Sequence, residues 1–263
     1  MNPFDADTAI EAAGERRWRG QVSERWYVGR GANGGLLAAQ CVRAMQALAG
    51  DPERVPRSLT VHFLEAPVAG PIEIAGTIER AGRSTTAVSL RLEQGERTVG
   101  LALGALARWR DGGREHLAVA PPRVPRPDAL APLDPATSGL PAFVANYDWR
   151  WAVEEGGHAA RVGGWIRTAE PRAVDHVALA AFADAFPPAV FPLIGGTAPA
   201  PTIDLTIHFR APLDGLGEGW ILGAFASRRL AGGFFEEDGE LWSEDGRLLV
   251  QSRQLAMLRE PPA

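Results

Sequence analysis

The sequence predicts an α+β fold built from two similar halves, each an antiparallel sheet wrapped around one buried helix. Three observations lead to this prediction: a strand phrase that occurs twice, an apolar helix before each copy, and a hairpin after each copy. The phrase LTVHFLEAP (59–67) returns as LTIHFRAP (205–212). A strand that is repeated together with its surroundings indicates a duplicated fold.

A helix with few polar positions precedes each copy of the strand. The segment NGGLLAAQCVRAMQALAGD (33–51) carries its polar side chains on one narrow stripe, at Gln40, Arg43 and Gln46. The segment DHVALAAFADAFPP (175–188) has Asp184 as its only interior charge and is ended by two prolines. Both helices are therefore predicted to be buried on most of their circumference.

Four long strands are predicted in each half. They cover residues 58–64, 72–80, 85–92 and 97–108, and then 203–209, 220–227, 233–242 and 247–258. A curved antiparallel sheet around one apolar helix is the hot-dog arrangement, so the chain is predicted to be a double hot dog, with two tandem hot-dog repeats. The predicted boundaries are 1–112 for the N-terminal repeat, 113–140 for a proline-rich linker, and 141–263 for the C-terminal repeat.

Composition excludes several classes of function. A net charge of −5 and scattered basic residues disfavour a nucleic-acid partner. A single cysteine, no apolar stretch of membrane length and no signal-peptide pattern predict a soluble, cytoplasmic chain without a membrane partner. No His, Cys or Asp set has the spacing of metal ligands, and neither a P-loop nor a G-x-S-x-G elbow is present, so no metal or cofactor is predicted.

Differences between the halves point to a site in the second one. When the hairpin turns at Gly95 and Gly246 are aligned, the apolar Leu101 and Leu103 become Ser252 and Gln254 on a face expected to look inward. A buried amide without a partner costs about 1–3 kcal/mol, so Gln254 needs one. Asp204, which stands where the first copy has Ser58, is the predicted partner. A purely structural hydrogen bond at either residue is the alternative.

The glycines that open the first helix form a second candidate feature. Asn33, Gly34 and Gly35 bring backbone amides to a helix N-terminus, where the dipole and the free N–H groups favour a developing negative charge. This geometry suits an oxyanion hole. Close packing of the helix, which glycine also permits, is the other interpretation.

The motifs taken in order resemble those of the double hot-dog acyl-CoA thioesterases, the group of bacterial thioesterase II and the peroxisomal long-chain acyl-CoA thioesterases. They are the NGG helix entry, LTVHFLEAP, GRS (82–84), DHVALAAFADAFPP, TIDLTIHFRAP and RQLAMLR, and they extend nearly from end to end. The resemblance implies cofactor-independent hydrolysis of acyl-CoA to fatty acid and CoA, and so a part in fatty acid metabolism. It also implies that an Asp, a Gln and a Thr or Ser of the C-terminal half orient the attacking water.

The resemblance assigns these roles to particular residues. The Asp matches Asp204 and the Gln matches Gln254, whereas the third position holds Arg228, with Ser227 just before it as a substitute. The predicted catalytic residues are thus Asp204, Gln254 and Ser227, and the predicted substrate contacts are Asn33, Gly34, Gly35 and Arg228.

Two other functions stay open at this point. The first is a hot-dog enoyl-CoA hydratase, although its Asp/His hydration motif is not found. The second is a non-catalytic acyl-CoA-binding protein, which the Arg228 departure favours. Two double hot dogs can also pair into a homodimer.

Overall fold

The computed structural model describes residues 1–110, 112–136, 138–152 and 160–259. Four α-helices lie in these ranges: α1 (Pro3–Thr8), α2 (Gly34–Ala49), α3 (His176–Phe182) and α4 (Phe191–Ile194). The strands of the first half are β1 (Ile10–Gly14), β2 (Arg17–Val22), β3 (Tyr27–Val28), β4 (Gly31–Ala32), β5 (Arg54–Phe63), β6 (Gly70–Ala81), β7 (Thr85–Gln94) and β8 (Arg97–Arg108). Those of the second half are β9 (Tyr147–Trp151), β10 (Arg161–Thr168), β11 (Thr202–Phe209), β12 (Ile221–Ala226), β13 (Leu230–Ala231), β14 (Phe234–Ser243) and β15 (Leu248–Met257).

One antiparallel sheet of thirteen strands joins the two halves. Its order is β1-β2-β6-β7-β8-β5-β11-β15-β14-β12-β10-β9, with β13 paired to β14. The repeated strands β5 and β11 lie side by side at the centre, where the hydroxyls of Thr60 and Thr206 are 3.0 Å apart. Because the repeated phrase maps Thr60 onto Thr206, an approximate twofold axis passes between them. The predicted α+β double hot dog is confirmed.

The two predicted helices lie against the same face of this sheet. Most of α2 is buried, and it contacts α3 as well as strands β5 to β8. The approach is close at Gly35, where an added Cβ would lie 2.7 Å from the carbonyl oxygen of Ala181. Only glycine fits at such a distance, so this part of the NGG motif lets the start of α2 touch the end of α3.

The segment between β8 and β9 runs over the outer face of the second half. Its described part contains a short 3-10 turn at Pro127–Ala129, and it packs Val124 and Leu130 against a buried cluster that includes Trp165 and Trp242. The repeat and linker boundaries at 112 and 140 stay a prediction. No helix in the described ranges has both the length and the apolar character needed to cross a membrane.

Candidate active site

Gln254 lies in a buried chain of hydrogen bonds on the helix-facing side of the sheet. The Thr202 hydroxyl donates to its Oε1 at 2.8 Å, and its Nε2 donates to Oε1 of Glu237 at 2.6 Å. The other oxygen of Glu237 accepts the backbone N–H of Ala189. Gln254 is 7% exposed and Glu237 is 2% exposed, so these polar groups satisfy one another out of contact with bulk water.

The predicted pairing of Asp204 with Gln254 is wrong. A β-bulge between Thr202 and Asp204 shifts the register of β11, so that Gln254 is opposite Leu205 and Thr202 is opposite the buried Ala256. Cross-strand partners share a face of the sheet, which puts Thr202 on the inner face and Asp204 on the outer face. Regular alternation from Leu205 would put both Asp204 and Thr202 on the outer face, and the bulge turns only Thr202 inward because it adds one residue to the count.

The predicted counterparts of Ser252 and Gln254 are also wrong by one position. Leu101 and Leu103 are on the outer face and are 38% and 64% exposed. In the first half Leu59 is opposite Gly104, just as Leu205 is opposite Gln254 in the second. Gly104 is therefore the residue that corresponds to Gln254. The count changes because the turn of the second hairpin is one residue longer: Glu93 pairs with Thr98 in the first half, whereas the equivalent pair in the second half is Trp242 with Leu248.

Asp184 lies just beyond the end of α3 and faces the N-terminus of α2. Its Oδ2 accepts the N–H of Gly35 at 2.9 Å and Nδ2 of Asn33 at 3.0 Å, and its carbonyl oxygen accepts the same Asn33 amide at 2.8 Å. The Gly34 amide also donates to this carboxyl group. The amides predicted to bind a substrate oxyanion are thus engaged by a carboxylate of the protein itself.

Burial dominates the electrostatics of both inner carboxyl groups. Desolvation raises the pKa of Asp184 to about 7, against the lowering effect of the Gly35, Gly34 and Asn33 hydrogen bonds. Desolvation likewise raises the pKa of Glu237 to about 7, and repulsion from Asp184 adds to that rise. Two carboxyl groups that titrate near neutral pH can exchange protons under ordinary conditions, as groups at functional sites do.

A buried tyrosine belongs to the same electrostatic environment. The pKa of Tyr147 is raised well above its usual value by burial, and the Asp184 charge contributes to the rise. The Tyr147 hydroxyl has no hydrogen-bond partner among the described residues, and its side chain is almost fully buried. A buried hydroxyl left without a partner lowers the stability of the folded protein.

Ser227 and Arg228 lie away from this set of residues. Ser227 follows the end of β12, which β14 separates from β15, and no hydrogen bond joins it to Gln254 among the described residues. Arg228 is exposed and forms an ion pair with Asp238 at 2.7 Å. The structure does not bring Asp204, Gln254 and Ser227 together. In the described ranges, no three His, Cys, Asp or Glu side chains are grouped as metal ligands would be.

The polar set occurs in one half only. Each of the four polar residues has a counterpart in the first half. Asp184 and Val42 follow the N-caps of their helices by the same number of residues. The other three pairs occupy the same register positions in the sheet: Thr202 with Pro56, Glu237 with Val88, and Gln254 with Gly104. An added Cβ at Gly104 would lie 2.2 Å from the Met45 methyl carbon, so Met45 fills the space beside it. One half has an apolar plug where the other has four hydrogen-bonding side chains.

Three residues of this set were missed by the sequence analysis. Asp184 gave a signal, since it is the single charge in an otherwise apolar helix. Glu237 gave a weaker one, as an acid at an inward position of a strand. Thr202 gave none, because its inward orientation depends on the bulge.

Comparison with known proteins identifies the family. A family model for the acyl-CoA thioesterase C-terminal domain matches residues 122–258, and one for the N-terminal domain matches residues 22–108. The chain belongs to the acyl-CoA thioesterase family. The predicted resemblance is therefore confirmed.

Solved structures agree with this assignment. A hot-dog protein of unknown function from Alicyclobacillus acidocaldarius is 30% identical, with a TM-score of 0.90 and 100% of both chains covered. A candidate thioesterase II from Thermobifida fusca is 27% identical, with a TM-score of 0.84 over 99% of this chain and 98% of that one. At the level of sequence, an uncharacterized protein of Mycobacterium tuberculosis is 29% identical over 98% of this chain and 96% of its own length.

Proposed function

We propose that this acyl-CoA thioesterase family member hydrolyses acyl-CoA thioesters to a free fatty acid and CoA, with Asp184 as the general base. The observation that supports the proposal is a buried carboxyl group whose pKa of about 7 suits proton transfer near neutral pH. Asp184 takes the place of Asp204, which lies on the other face of the sheet.

The reaction needs only water and one proton acceptor. The water oxygen attacks the thioester carbonyl carbon while Asp184 takes one of its protons. The tetrahedral oxyanion then collapses, the C–S bond breaks, and the CoA sulfur leaves with the proton held by Asp184. The products are the carboxylic acid and the CoA thiol, so that one water is consumed per turnover.

The other residues of the set hold the base and the water. Asn33, Gly34 and Gly35 fix the Asp184 carboxylate through the hydrogen bonds described above, and the positive end of the α2 dipole stabilises its ionised form. Thr202 and Gln254 supply the polar side on which a water can be oriented. We further propose that Arg228, which is exposed, contacts the CoA phosphates.

The test measures thiol release from a panel of acyl-CoA thioesters of different chain length. Asp184→Asn should lower kcat by about 10²–10⁴-fold, the usual contribution of a general base. Asp204→Asn is the matched control, and it should keep the wild-type rate. Loss of turnover in the control together with survival in Asp184→Asn would contradict the assignment.

The same assay separates the other functions. An enoyl-CoA hydratase changes the absorbance of enoyl-CoA without releasing thiol. A non-catalytic protein binds acyl-CoA and releases none at any chain length. Cytoplasmic location, a part in fatty acid metabolism and a homodimer stay predictions.

A further inference from the structure

Glu237 is the last member of the buried hydrogen-bond chain and accepts at both of its oxygens. Its Oε2 accepts the N–H of Ala189, and a backbone amide can only donate. Its Oε1 accepts Nε2 of Gln254. Above about pH 7 the Glu237 carboxyl group is ionised and has no proton to give, so every partner of Glu237 must then donate to it.

This acceptor-only end determines the orientation of the groups before it. Gln254 must turn Nε2 towards Glu237, which leaves its Oε1 facing Thr202. The Thr202 hydroxyl must then donate its proton to Gln254, and its lone pairs are left free for another donor. We propose that Glu237 is a positioning residue that sets this direction, from Thr202 through Gln254; the catalytic consequence of this inference rests on the proposed function.

The direction matters for the attacking water. A water that donates one hydrogen to the Asp184 carboxylate and the other to the Thr202 oxygen keeps a lone pair for the carbonyl carbon. With the chain reversed, Thr202 accepts from Gln254 and offers its own proton outward. That proton then engages one of the two lone pairs of the water, which lowers its nucleophilicity, and the second hydrogen of the water loses its acceptor.

Packing alone does not explain a glutamate at this position. The corresponding residue of the first half is Val88, which is buried in the same register against Gly104. A carboxyl group there carries a desolvation cost that valine avoids, as the raised pKa of Glu237 reflects. A glutamate beside Gln254 therefore needs another explanation, and the orientation of the Gln254 amide provides one.

Glu237→Gln tests the inference with almost no change in shape. The introduced amide must still accept from Ala189, so its nitrogen faces Gln254, and Gln254 must turn over and donate to Thr202. We expect kcat to fall about 100-fold with KM unchanged, the scale of a misplaced reacting group. Both substitutions act through the same chain of hydrogen bonds. The kcat of the double variant with Glu237→Gln and Thr202→Val should therefore be less than about twofold below that of Glu237→Gln alone.

Two further variants keep the result interpretable. Glu240→Gln is the matched control, because Glu240 lies on the same strand with its side chain towards the opposite face, where it bonds Nε1 of Trp242. It should keep the wild-type kcat. Glu237→Val leaves Gln254 free to turn either way and should give a smaller loss than Glu237→Gln. Wild-type kcat in Glu237→Gln, or additive losses with Thr202→Val, would overturn the inference.

A measurement without turnover separates this inference from the proposed function. In protein labelled with ¹⁵N-glutamine, the side-chain amide signal of Gln254 is assigned by its loss in Gln254→Met. We expect Glu237→Gln to shift that signal strongly and Glu240→Gln to leave it in place. If the wild type releases no thiol, the proposed function fails; the amide signal still decides the direction, and an unshifted signal in Glu237→Gln overturns it.

Discussion

Replacement of Asp184 by asparagine should lower kcat by about 10²–10⁴-fold and should also raise the stability relative to the wild type as the pH increases from 5 to 8. The folded-state pKa of Asp184 is about 7 against a usual value of 3.8, so the folded protein holds a proton that the unfolded chain has lost between these values. Its contribution to stability is therefore fully present below about pH 4 and is lost as the pH rises through about 7. Each pKa unit corresponds to about 1.4 kcal/mol, which gives about 3 kcal/mol between pH 5 and pH 8.

Urea unfolding at pH 5 and pH 8 measures this difference. The asparagine side chain has no proton to lose, so the stability of Asp184→Asn relative to the wild type should increase by about 3 kcal/mol from pH 5 to pH 8. Glu237 titrates in the same range, and loss of the Asp184 charge removes one cause of its raised pKa, which changes the relative stability in the same direction. Asp204→Asn serves as the control and should show no such increase. A relative stability that is equal at both pH values would refute the electrostatic reasoning for Asp184.

Three other predictions follow from the same residues. For the wild type, kcat/KM should rise with pH with a midpoint near 7, as Asp184 loses its proton, and a profile flat from pH 5 to pH 9 would contradict this. Gly35→Ala should lower the free energy of unfolding, measured by thermal melts, by about 1–3 kcal/mol, because its Cβ would lie 2.7 Å from the Ala181 oxygen. Gly196→Ala is the control and should leave the free energy of unfolding unchanged, because an added Cβ there meets nothing within 4 Å. Tyr147→Phe should raise the free energy of unfolding by about 1 kcal/mol, since it removes a buried hydroxyl without a partner, and an unchanged or lower value would show that a bound water satisfies that hydroxyl.

The fold could be predicted because its signals are local and occur twice. The apolar stretch that became α2 and the strand phrases of β5 and β11 each fix an element through periodicity, and the second copy repeats the information. The pairing of β5 with β11 was not predicted, because strand periodicity does not show which strands are neighbours between the two halves; the structure shows it at Thr60 and Thr206.

The site was harder to predict because it depends on register. Gln254 was found by comparison of the two halves and by the family resemblance, although its counterpart is Gly104 and not the predicted Leu103. Its partner was not, because the bulge of β11 turns Thr202 to the inner face, whereas regular alternation puts Thr202 on the outer face beside Asp204. Sequence alternation alone does not show where a strand carries such a residue.

The same bulge is present in the half without the polar set. In β5 the register shifts between Pro56 and Ser58, the positions that correspond to Thr202 and Asp204. The irregular backbone is therefore part of the duplicated fold and did not arise with the site. What differs is the residue that it turns inward: proline, which offers neither a hydroxyl nor an N–H, or threonine, which can donate to Gln254. A few side-chain changes on a shared backbone are thus sufficient to make one end of the double hot dog polar while Met45 fills the other.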